Sequence, residues 1–272
     1  MIRDSCTANG TRLYIDLGGE YGSPATQFEN FVNTTALHDA YIQQVFDFCT
    51  GKNPDSVKFD GASIDWEWPS NNATTRTNTT TFLNKLRAKF NTTSPPLQIG
   101  FALGQWMLWN NNASTPVITA ATINADIDWV FLMGYNTYST SQLSHEAMLY
   151  DNPAIGGGAE AWDIRGIRQY TANGVDTSRI VYGTSGEILS MNISNTANAV
   201  PGAPGSGVST TTPFSQMAAV YNAPSWDAVA QNSYWVSGTR WYSTENYNSA
   251  VAKINYVKNM SCLLYTSDAA DE

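Results

Sequence analysis

Charged residues are scarce in this sequence, and basic ones most of all. Only 14% of the 272 residues are charged, and 14 Lys and Arg against 23 Asp and Glu leave a formal net charge of -9. Nucleic acids and anionic membranes repel a negatively charged protein, so neither is an expected partner. No apolar run approaches the roughly 18 residues of a membrane-spanning helix. The 42% of hydrophobic residues can still bury a core, which excludes intrinsic disorder.

Cysteine and histidine are nearly absent, which limits metal and redox chemistry. The two histidines, His38 and His145, are not spaced as metal ligands with any cysteine or carboxylate pair. We therefore expect no metal site and no cofactor. Besides Cys262, which lies in an atypical C-terminal tail, Cys6 and Cys49 form either one disulfide or two free thiols, and the sequence leaves both open.

The two ends of the sequence differ from the rest. The N-terminus lacks the order of basic, apolar and small residues typical of a signal peptide, so either a leader has been removed or the true start is missing. Residues 262–272, CLLYTSDAADE, bear no relation to the preceding pattern and resemble a translated sequencing adapter. We therefore predict that this tail is not native and place the domain at residues 1–261.

At least seven Asn-x-Ser/Thr sequences offer acceptors for N-linked glycans. They include those that begin at Asn33, Asn72, Asn78, Asn91, Asn112, Asn192 and Asn259. This number fits a secreted glycoprotein, so we expect an extracellular protein, and we expect a monomer. The alternative is that an Asn- and Thr-rich composition produces these sequences by chance.

Short apolar segments alternate with helical ones along the chain. The predicted strands are 12–16, 57–66, 97–102, 127–135 and 179–182, and the predicted helices are 37–48, 80–90, 161–171 and 250–258. This alternation predicts an α/β fold with a parallel sheet, and strands that are apolar on both faces fit a covered sheet or a barrel. Loops are predicted at 152–158 and 195–212, and a small aromatic-rich β insertion at about 195–247, before the last helix.

The segment FDGASIDWEWPS, residues 59–70, carries the most informative chemistry. Side chains alternate along a strand, so Ser63, Asp65 and Glu67 share one face, with the two carboxylates about 7 Å apart along it. Crowded like charges favour a proton on one carboxyl group, which is what a general acid needs near neutral pH. Acidic residues at the carboxyl end of a parallel strand lie where active sites are built.

This segment resembles the catalytic signature of family 18 glycoside hydrolases, the chitinase family. The family pattern is Asp-x-x-Asp-x-Asp-x-Glu, with Gly second and Trp before the Glu. The matching residues are Asp60, Gly61, Asp65, Trp66 and Glu67. Ser63 departs from the pattern, because it stands where the family has an Asp.

Two further segments are similar to strand ends of the same family. Residues 17–19, Leu-Gly-Gly, resemble the Ser-x-Gly-Gly ending of the family's third strand. Residues 133–136, Met-Gly-Tyr-Asn, resemble the Met-x-Tyr-Asp ending of its sixth strand, with Asn136 replacing Asp. The resemblance implies a (β/α)8 TIM barrel that is incomplete in this chain, lacking the first two strands and the last one.

The resemblance also implies the reaction and the role of each matching residue. Family 18 enzymes hydrolyse β-1,4 linkages of N-acetylglucosamine in chitin or chito-oligosaccharides with retention, using the substrate's own acetamido group as nucleophile. Glu67 would protonate the leaving oxygen and then activate water, Asp65 would stabilise the oxazolinium intermediate, and Tyr135 would align the acetamido oxygen. Expected supporting residues are Asp60, Ser63 and Asn136, and expected substrate contacts are Gly18, Gly19, Trp66, Trp106 and Met133.

The departure from the family pattern at Ser63 bears on activity. In the family, an Asp at the position of Ser63 pairs with the position of Asp65 and shares its proton during turnover. A serine donates a hydrogen bond but carries no charge, so we expect reduced activity or a shifted pH profile.

Two alternatives use the same fold: a weak or inactive chitin-binding lectin, and an endo-β-N-acetylglucosaminidase acting on glycans, which differs only in its cleft.

Overall fold

The computed structural model describes residues 9–19, 24–66, 69, 72–103, 118–155, 162–211 and 225–268. The chain forms two compact units. The first runs to Phe131 and includes Tyr170–Arg179, and the second comprises Leu132–Gln169 and the residues from Ile180 onwards.

Parallel strands and covering helices make up the first unit. Its strands are β1 (Tyr14–Gly18), β2 (Gly61–Asp65), β3 (Gln98–Leu103) and most of β4 (Trp129–Met133), and its helices are α1 (Pro24–Asn33), α2 (His38–Cys49), α3 (Ala73–Phe90) and α4 (Ala120–Asp126). β2 lies between β1 and β3 and pairs with both in parallel. The N–H of Asp128 donates to the carbonyl of Ile99, 2.8 Å away, where β4 begins beside β3. The predicted parallel sheet is therefore confirmed.

The two faces of this sheet differ, because side chains alternate along each strand. One face carries fully buried apolar residues that include Ile64 and Phe101. It is covered by helices, and the ring of Phe28 on α1 lies 5.2 Å from that of Trp66. The other face carries Ser63 and Asp65, which are only partly buried. Cys49 on α2 is a buried free thiol, and burial raises its pKa to about 12.

Helix α3 spans Ala73–Phe90, so it begins seven residues before the predicted start at residue 80. Its first half is rich in threonine, whose branched side chain disfavours helix. Tertiary structure overrides this preference: the Asn72 side chain caps the helix by accepting from the N–H of Thr75, 2.8 Å away. Thr75 and Thr79 are buried, and the Thr79 hydroxyl donates to the Thr75 carbonyl at 2.7 Å.

An antiparallel sheet dominates the second unit. Its strands are β6 (Ile188–Ile193), β7 (Gly205–Thr211), β8 (Ser225–Asp227), β9 (Asn232–Ser237) and β10 (Arg240–Thr244), in the spatial order β7-β6-β10-β9-β8. Leu143, Leu189, Met191 and Trp241 form its buried core, and the Trp241 ring stacks on Tyr234 at 4.3 Å. The unit also contains β5 (Ile180–Ser185), most of α5 (Trp162–Ala172) and α6 (Tyr247–Asn259), which starts with a capping box of Asn246 and Ser249.

A buried polar network fixes the segment before α5 to this sheet. His145 Nε2 lies 3.0 Å from Asp227 Oδ2, and His145 Nδ1 lies 2.9 Å from the Ser243 hydroxyl. The Asn152 amide also donates to Asp227, at 2.7 Å. Burial alone would raise the pKa of Asp227, but the hydrogen bonds from His145 and from the N–H of Ala230 hold that pKa at about 2. His145 thus has a structural role here.

The structure differs from the sequence prediction in two segments of the second unit. The antiparallel strands begin at Ile188, before the predicted insertion at about 195–247, and Gly205–Thr211 forms β7 inside the predicted loop 195–212. At the C-terminus, residues of the tail that we predicted to be foreign form β11 (Leu263–Asp268), which pairs in parallel with β5. Tyr and Thr favour strands, and an open edge accepts another strand readily. The origin of the tail stays a prediction.

Candidate active site

Asp65 lies at the carboxyl end of β2, beside the end of the neighbouring strand β1. The N–H of Gly19 donates to the carbonyl of Asp65 at 2.8 Å. Gly18 has a φ of +125°, and a Cβ at this position would collide with the same carbonyl oxygen. Both glycines therefore fix the backbone of Asp65, a role that sequence reasoning did not assign to them. Their expected contact with substrate stays a prediction.

The residues in register with β2 define the surroundings of its polar face. Asp16 of β1 and Gly100 of β3 are the register partners of Ser63, and Gly18 and Ala102 are those of Asp65. Residues in register on neighbouring parallel strands point to the same face. Asp16, which the sequence analysis did not single out, therefore shares the face of Ser63 and Asp65. The sequence analysis could not find Asp16, because it did not give the register between the strands.

Aromatic side chains lie next to Asp16 and Ser63 on this face, toward the starts of the strands. The indole of Trp129 occupies the space that a side chain at Gly100 would need. The same ring meets Tyr14 edge-on, with ring centroids 5.1 Å apart, and the Tyr14 hydroxyl donates to the Gln98 side chain. Gly100 thus makes room for a bulky ring, which closes the bottom of the polar face.

Asp60 lies at the opposite end of β2 from Asp65. Its Oδ2 accepts a hydrogen bond from the N–H of Leu13 at 2.7 Å, and its own N–H donates to the Leu13 carbonyl at 2.7 Å. Its carbonyl accepts from the N–H of Gln98 at 2.9 Å. Asp60 thereby joins the starts of β1, β2 and β3 and holds these strands in register. Its expected supporting role at the site stays a prediction.

The expectation that Trp66 contacts substrate is corrected by the structure. Its side chain is only 1% exposed and packs against Phe28 on the helix-covered side of the sheet. The reason is the strand alternation, which sends Asp65 and Trp66 to opposite faces. Glu67 and Trp106, the expected acid and a further expected contact, lie outside the described residues.

In the second unit, the expected residues Met133, Tyr135 and Asn136 follow one another at and beyond the end of β4. The N–H of Gly134 donates to the carbonyl of Gly183 on β5, 3.1 Å away. Tyr135 and Met133 are half-buried, and Asn136 is exposed. Asn136 has a φ of +59°, in the left-handed region that asparagine tolerates better than most residues.

A buried carboxyl group, Glu146, holds this left-handed turn. Its Oε1 accepts from the N–H of Asn136 at 3.0 Å, and its carbonyl accepts from the N–H of Thr137 at 2.9 Å. Burial raises the pKa of Glu146 well above its usual value, and the nearby Glu187 and Glu245 raise it further, while the Asn136 N–H and Lys253 act in the other direction. Sequence reasoning missed Glu146, because no sequence motif identifies a carboxyl group that accepts a hydrogen bond from a backbone N–H ten residues away.

Within the residues that the structure describes, no group of three or more His, Cys, Asp or Glu side chains is arranged to hold a metal ion. No helix in the same residues is long and apolar enough to cross a membrane.

A comparison with known protein families matches nearly the whole chain. The model of glycosyl hydrolases family 18 matches residues 1–263. The chain belongs to this family. The match extends over both units and ends near the start of β11, so most of the tail lies beyond it.

Several known proteins are similar to the chain in sequence or structure. The class V chitinase of Arabidopsis thaliana is 25% identical over 227 residues, covering 78% of this chain and 58% of that protein. The chain thus spans less than two thirds of this relative's length. The class V chitinase of Nicotiana tobaccum, solved in complex with NAG4, gives a TM-score of 0.81 at 20% identity and covers 96% of this chain and 76% of its own.

A second solved structure, the chitinase-like agglutinin of Robinia pseudoacacia, gives the same TM-score of 0.81 at 21% identity, covering 98% of this chain and 78% of its own. At these identities the likeness establishes the fold alone. The family 18 chain therefore has a TIM-barrel-like α/β fold, as the sequence predicted.

Proposed function

We propose that the protein hydrolyses β-1,4 linkages between N-acetylglucosamine units in chitin or chito-oligosaccharides, with retention and with the substrate's acetamido group as nucleophile. Membership of family 18 supports this reaction class. The observation that carries the proposal is Asp65 at the carboxyl end of β2, with its carbonyl bound by Gly19. Active sites of parallel α/β folds are built at this end of the strands.

In this mechanism the protein supplies charge and protons, and the substrate supplies the nucleophile. The acetamido oxygen attacks the anomeric carbon within the same sugar, so effective concentration replaces a second carboxylate. Glu67 gives its proton to the leaving glycosidic oxygen and then takes one from the incoming water. Asp65 accepts the acetamido N–H and stabilises the positive oxazolinium intermediate through its negative charge.

Tyr135 donates a hydrogen bond to the acetamido oxygen and keeps it aligned for attack. The turn that follows it supports this role, because Glu146 and the left-handed Asn136 give residues 135–137 a defined backbone. Met133 and Trp106 would contact the sugar rings. Neither a metal nor a cofactor enters any step.

The test is hydrolysis of a fluorogenic N,N'-diacetylchitobioside by the full-length protein, beside its Glu67→Gln variant. Glutamine keeps the size of the side chain but cannot donate the proton, so we expect a loss of about 100-fold or more in kcat. Equal activity in both proteins would refute the assigned acid. Asp55→Asn, in an exposed turn after α2, is the matched control, since it also changes one acid to its amide.

A chitin-binding lectin is the second candidate, and Ser63 is the observation that favours it. A serine at this position supplies a hydroxyl group where the family pattern has a second carboxyl group on the same strand. The agglutinin among the structural neighbours has a TIM-barrel-like fold in common with this chain. Chitin binding without hydrolysis, in both the unchanged protein and the Glu67→Gln variant, would assign the protein to this class.

Secretion as a monomeric glycoprotein belongs to the same proposal, since chitin is an extracellular polymer. Among the acceptors named above that the structure describes, five are exposed, namely Asn33, Asn72, Asn91, Asn192 and Asn259. Glycosidase treatment of the secreted protein should lower its apparent mass. Retention inside cells without glycans would contradict this part.

A further inference from the structure

A groove of about 360 Å³ lies between the β8–β9 hairpin and helix α6 in the second unit. Six residues line it, namely Trp226, Gln231, Asn248, Val251, Ala252 and Asn255. None of them takes part in the proposed reaction. Sites for small molecules commonly measure about 300 to 1,000 Å³, so the groove has room for a ligand of one or two sugar rings.

Helix α6 forms one wall of the groove. Its lining residues, at positions 248, 251, 252 and 255, are three, four and seven residues apart and therefore share one face of the helix. Lys253 lies on the buried side of the same helix, where its Nζ donates to the carbonyl of Ala147 at 2.7 Å. The capping box of Asn246 and Ser249 fixes the start of the helix. This wall is thus firmly held, and it offers an asparagine on either side of an apolar centre.

The hairpin between β8 and β9 forms the other wall. Trp226 is followed by Asp227, whose Oδ1 accepts from the N–H of Ala230 at 3.1 Å and so fixes the turn. Gln231 has a φ of +55°, and its Nε2 donates to the carbonyl of Ala228 at 2.6 Å. This bond holds the amide in place and leaves Oε1 without a partner within the described residues. Gln231 therefore presents a fixed acceptor.

The other groups that line the groove are also available to a ligand. Asn248 and Asn255 are exposed, and their side-chain amides make no hydrogen bond to any residue that the structure describes. Trp226 is 37% exposed, and its ring contacts no other ring in the described part of the chain. On the next strand, by contrast, Trp235 stacks on Tyr242 with ring centroids 4.7 Å apart. The Trp226 indole thus remains for a ligand.

The lining matches an uncharged sugar that carries an amide. None of the six residues is charged, although the protein has a net charge of -9, so a charged ligand would find no partner among them. An indole and two aliphatic side chains suit the apolar face of a sugar ring. Each carboxamide both donates and accepts, so it can pair with hydroxyl groups and with an acetamido group. A plain glucose polymer lacks the acetamido contact.

We propose that this groove binds an N-acetylglucosamine unit of chitin or a chito-oligosaccharide, in addition to the site where hydrolysis is proposed. The sugar ring lies against Trp226, and its acetamido N–H donates to Gln231 Oε1. The ring hydroxyls pair with Asn248 and Asn255. The choice of sugar rests on the proposed substrate, whereas binding in the groove breaks no bond.

Nuclear magnetic resonance of the full-length Glu67→Gln variant, with isotope-labelled tryptophan, tests the groove. This background slows hydrolysis of the probe, N,N',N''-triacetylchitotriose. The indole N–H signal of Trp226 is identified by its absence in an additional Trp226→Leu variant. We expect this signal to shift and to saturate as the probe is added.

Two substitutions in the groove should weaken this binding. Ala252→Phe fills the groove from the helix and should weaken it about tenfold or more. Asn255→Ala removes one amide at an exposed position, where alanine favours helix, and should weaken it about threefold or more. Trp235→Leu is the matched control, because it replaces a tryptophan on the neighbouring strand that stacks on Tyr242. It should leave the titration of the Trp226 signal unchanged.

A Trp226 signal that does not move at the highest soluble concentration of chitotriose would overturn the inference. So would unchanged binding in both the Ala252→Phe and the Asn255→Ala variants. Cellotriose has the same linkages without acetamido groups, so it should bind about tenfold or more weakly. Equal binding of the two sugars would refute the assignment to N-acetylglucosamine.

Hydrolysis of the fluorogenic chitobioside by the unchanged protein separates this inference from the proposed reaction. If the protein does not hydrolyse it but chitotriose shifts the Trp226 signal, the groove binds the sugar and the proposed reaction is wrong. If hydrolysis occurs and the signal stays in place, the reaction stands and the inference is wrong.

Discussion

The two units place their carboxyl groups in opposite settings. In the first unit, Asp16 and Asp65 lie on a partly exposed sheet face, with glycine and serine as register partners. In the second unit, Glu146 and Asp227 are buried and bound to protein groups. Small neighbours leave room for a ligand, whereas buried carboxyls fix the backbone around them. The same side-chain chemistry therefore fits the proposed catalytic role in one unit and a structural role in the other.

The two buried carboxyls of the second unit also differ from each other. Asp227 accepts hydrogen bonds from Asn152 and from the N–H groups of Val229 and Ala230 and contacts His145, which keeps its pKa at about 2 despite burial. Glu146 Oε1 accepts from Asn136, and its Oε2 has no hydrogen-bond partner within the described residues. The number of donors decides whether a buried acid is held charged or neutral.

The largest expected effect on stability comes from breaking the Asp227 network. Asp227→Ala leaves buried His145 and Asn152 without their acceptor, so we expect a loss of about 3 to 5 kcal/mol in the free energy of unfolding. Urea unfolding at pH 7 measures it. Asp176→Ala removes an exposed acid with a lowered pKa and should change stability by less than about 0.5 kcal/mol. If Asp227→Ala and Asp176→Ala lowered the free energy of unfolding equally, the difference between buried and exposed acids would be contradicted. In the unchanged protein, this stabilisation is lost as pH falls from 3.8, the ordinary pKa of aspartate, toward 2, its pKa in the fold.

The next effect is on activity, in the first unit. Asp65→Asn removes the charge that faces the intermediate, so kcat/KM should fall about 100-fold while the urea midpoint changes little. Steady-state kinetics and unfolding on the same preparation test both halves of the statement. A large loss of stability with unchanged kinetics would assign Asp65 to structure instead.

The smallest effect concerns Glu146 and depends on pH. Its pKa is raised in the folded state, so the folded protein holds a proton that the unfolded chain releases above pH 4.5. Stability from this group is full below pH 4.5 and declines, by at most about 1.4 kcal/mol per pH unit, as pH rises to the folded pKa. Glu146→Gln keeps the hydrogen bond to Asn136 and cannot titrate, so its stability relative to the unchanged protein should grow with pH. A difference that stays constant from pH 4 to 8 would refute the neutral Glu146.

Local sequence patterns predicted the strands of the α/β part well where the apolar pattern was strong. The five predicted strands of the α/β part are present with shifted bounds, because apolar β-branched runs mark buried strands. Prediction was weakest where long-range contacts override local preference. The threonine-rich start of α3 is helical because of the Asn72 cap and the burial of Thr75, and β7 forms because β6 pairs with it.

The same limit applies to the candidate site. The polar face with Asp65 was predicted from residue types and spacing, which are local, and Tyr135 was assigned through the family resemblance. Trp66 was assigned to the substrate, but its strand position turns it to the helix-covered face. Glu146 was missed, because its contact with Asn136 depends on how the intervening loop folds.

By itself, the sequence determined the family, the α/β class and the row of polar residues on β2, since strand alternation and motif spacing are properties of a single segment. Only the tertiary structure decided that Asp16 lies beside Ser63 and that Glu146 holds Asn136. The physical reason is that both contacts depend on strand register and chain folding, which are set by the packing of the whole sheet and its helices.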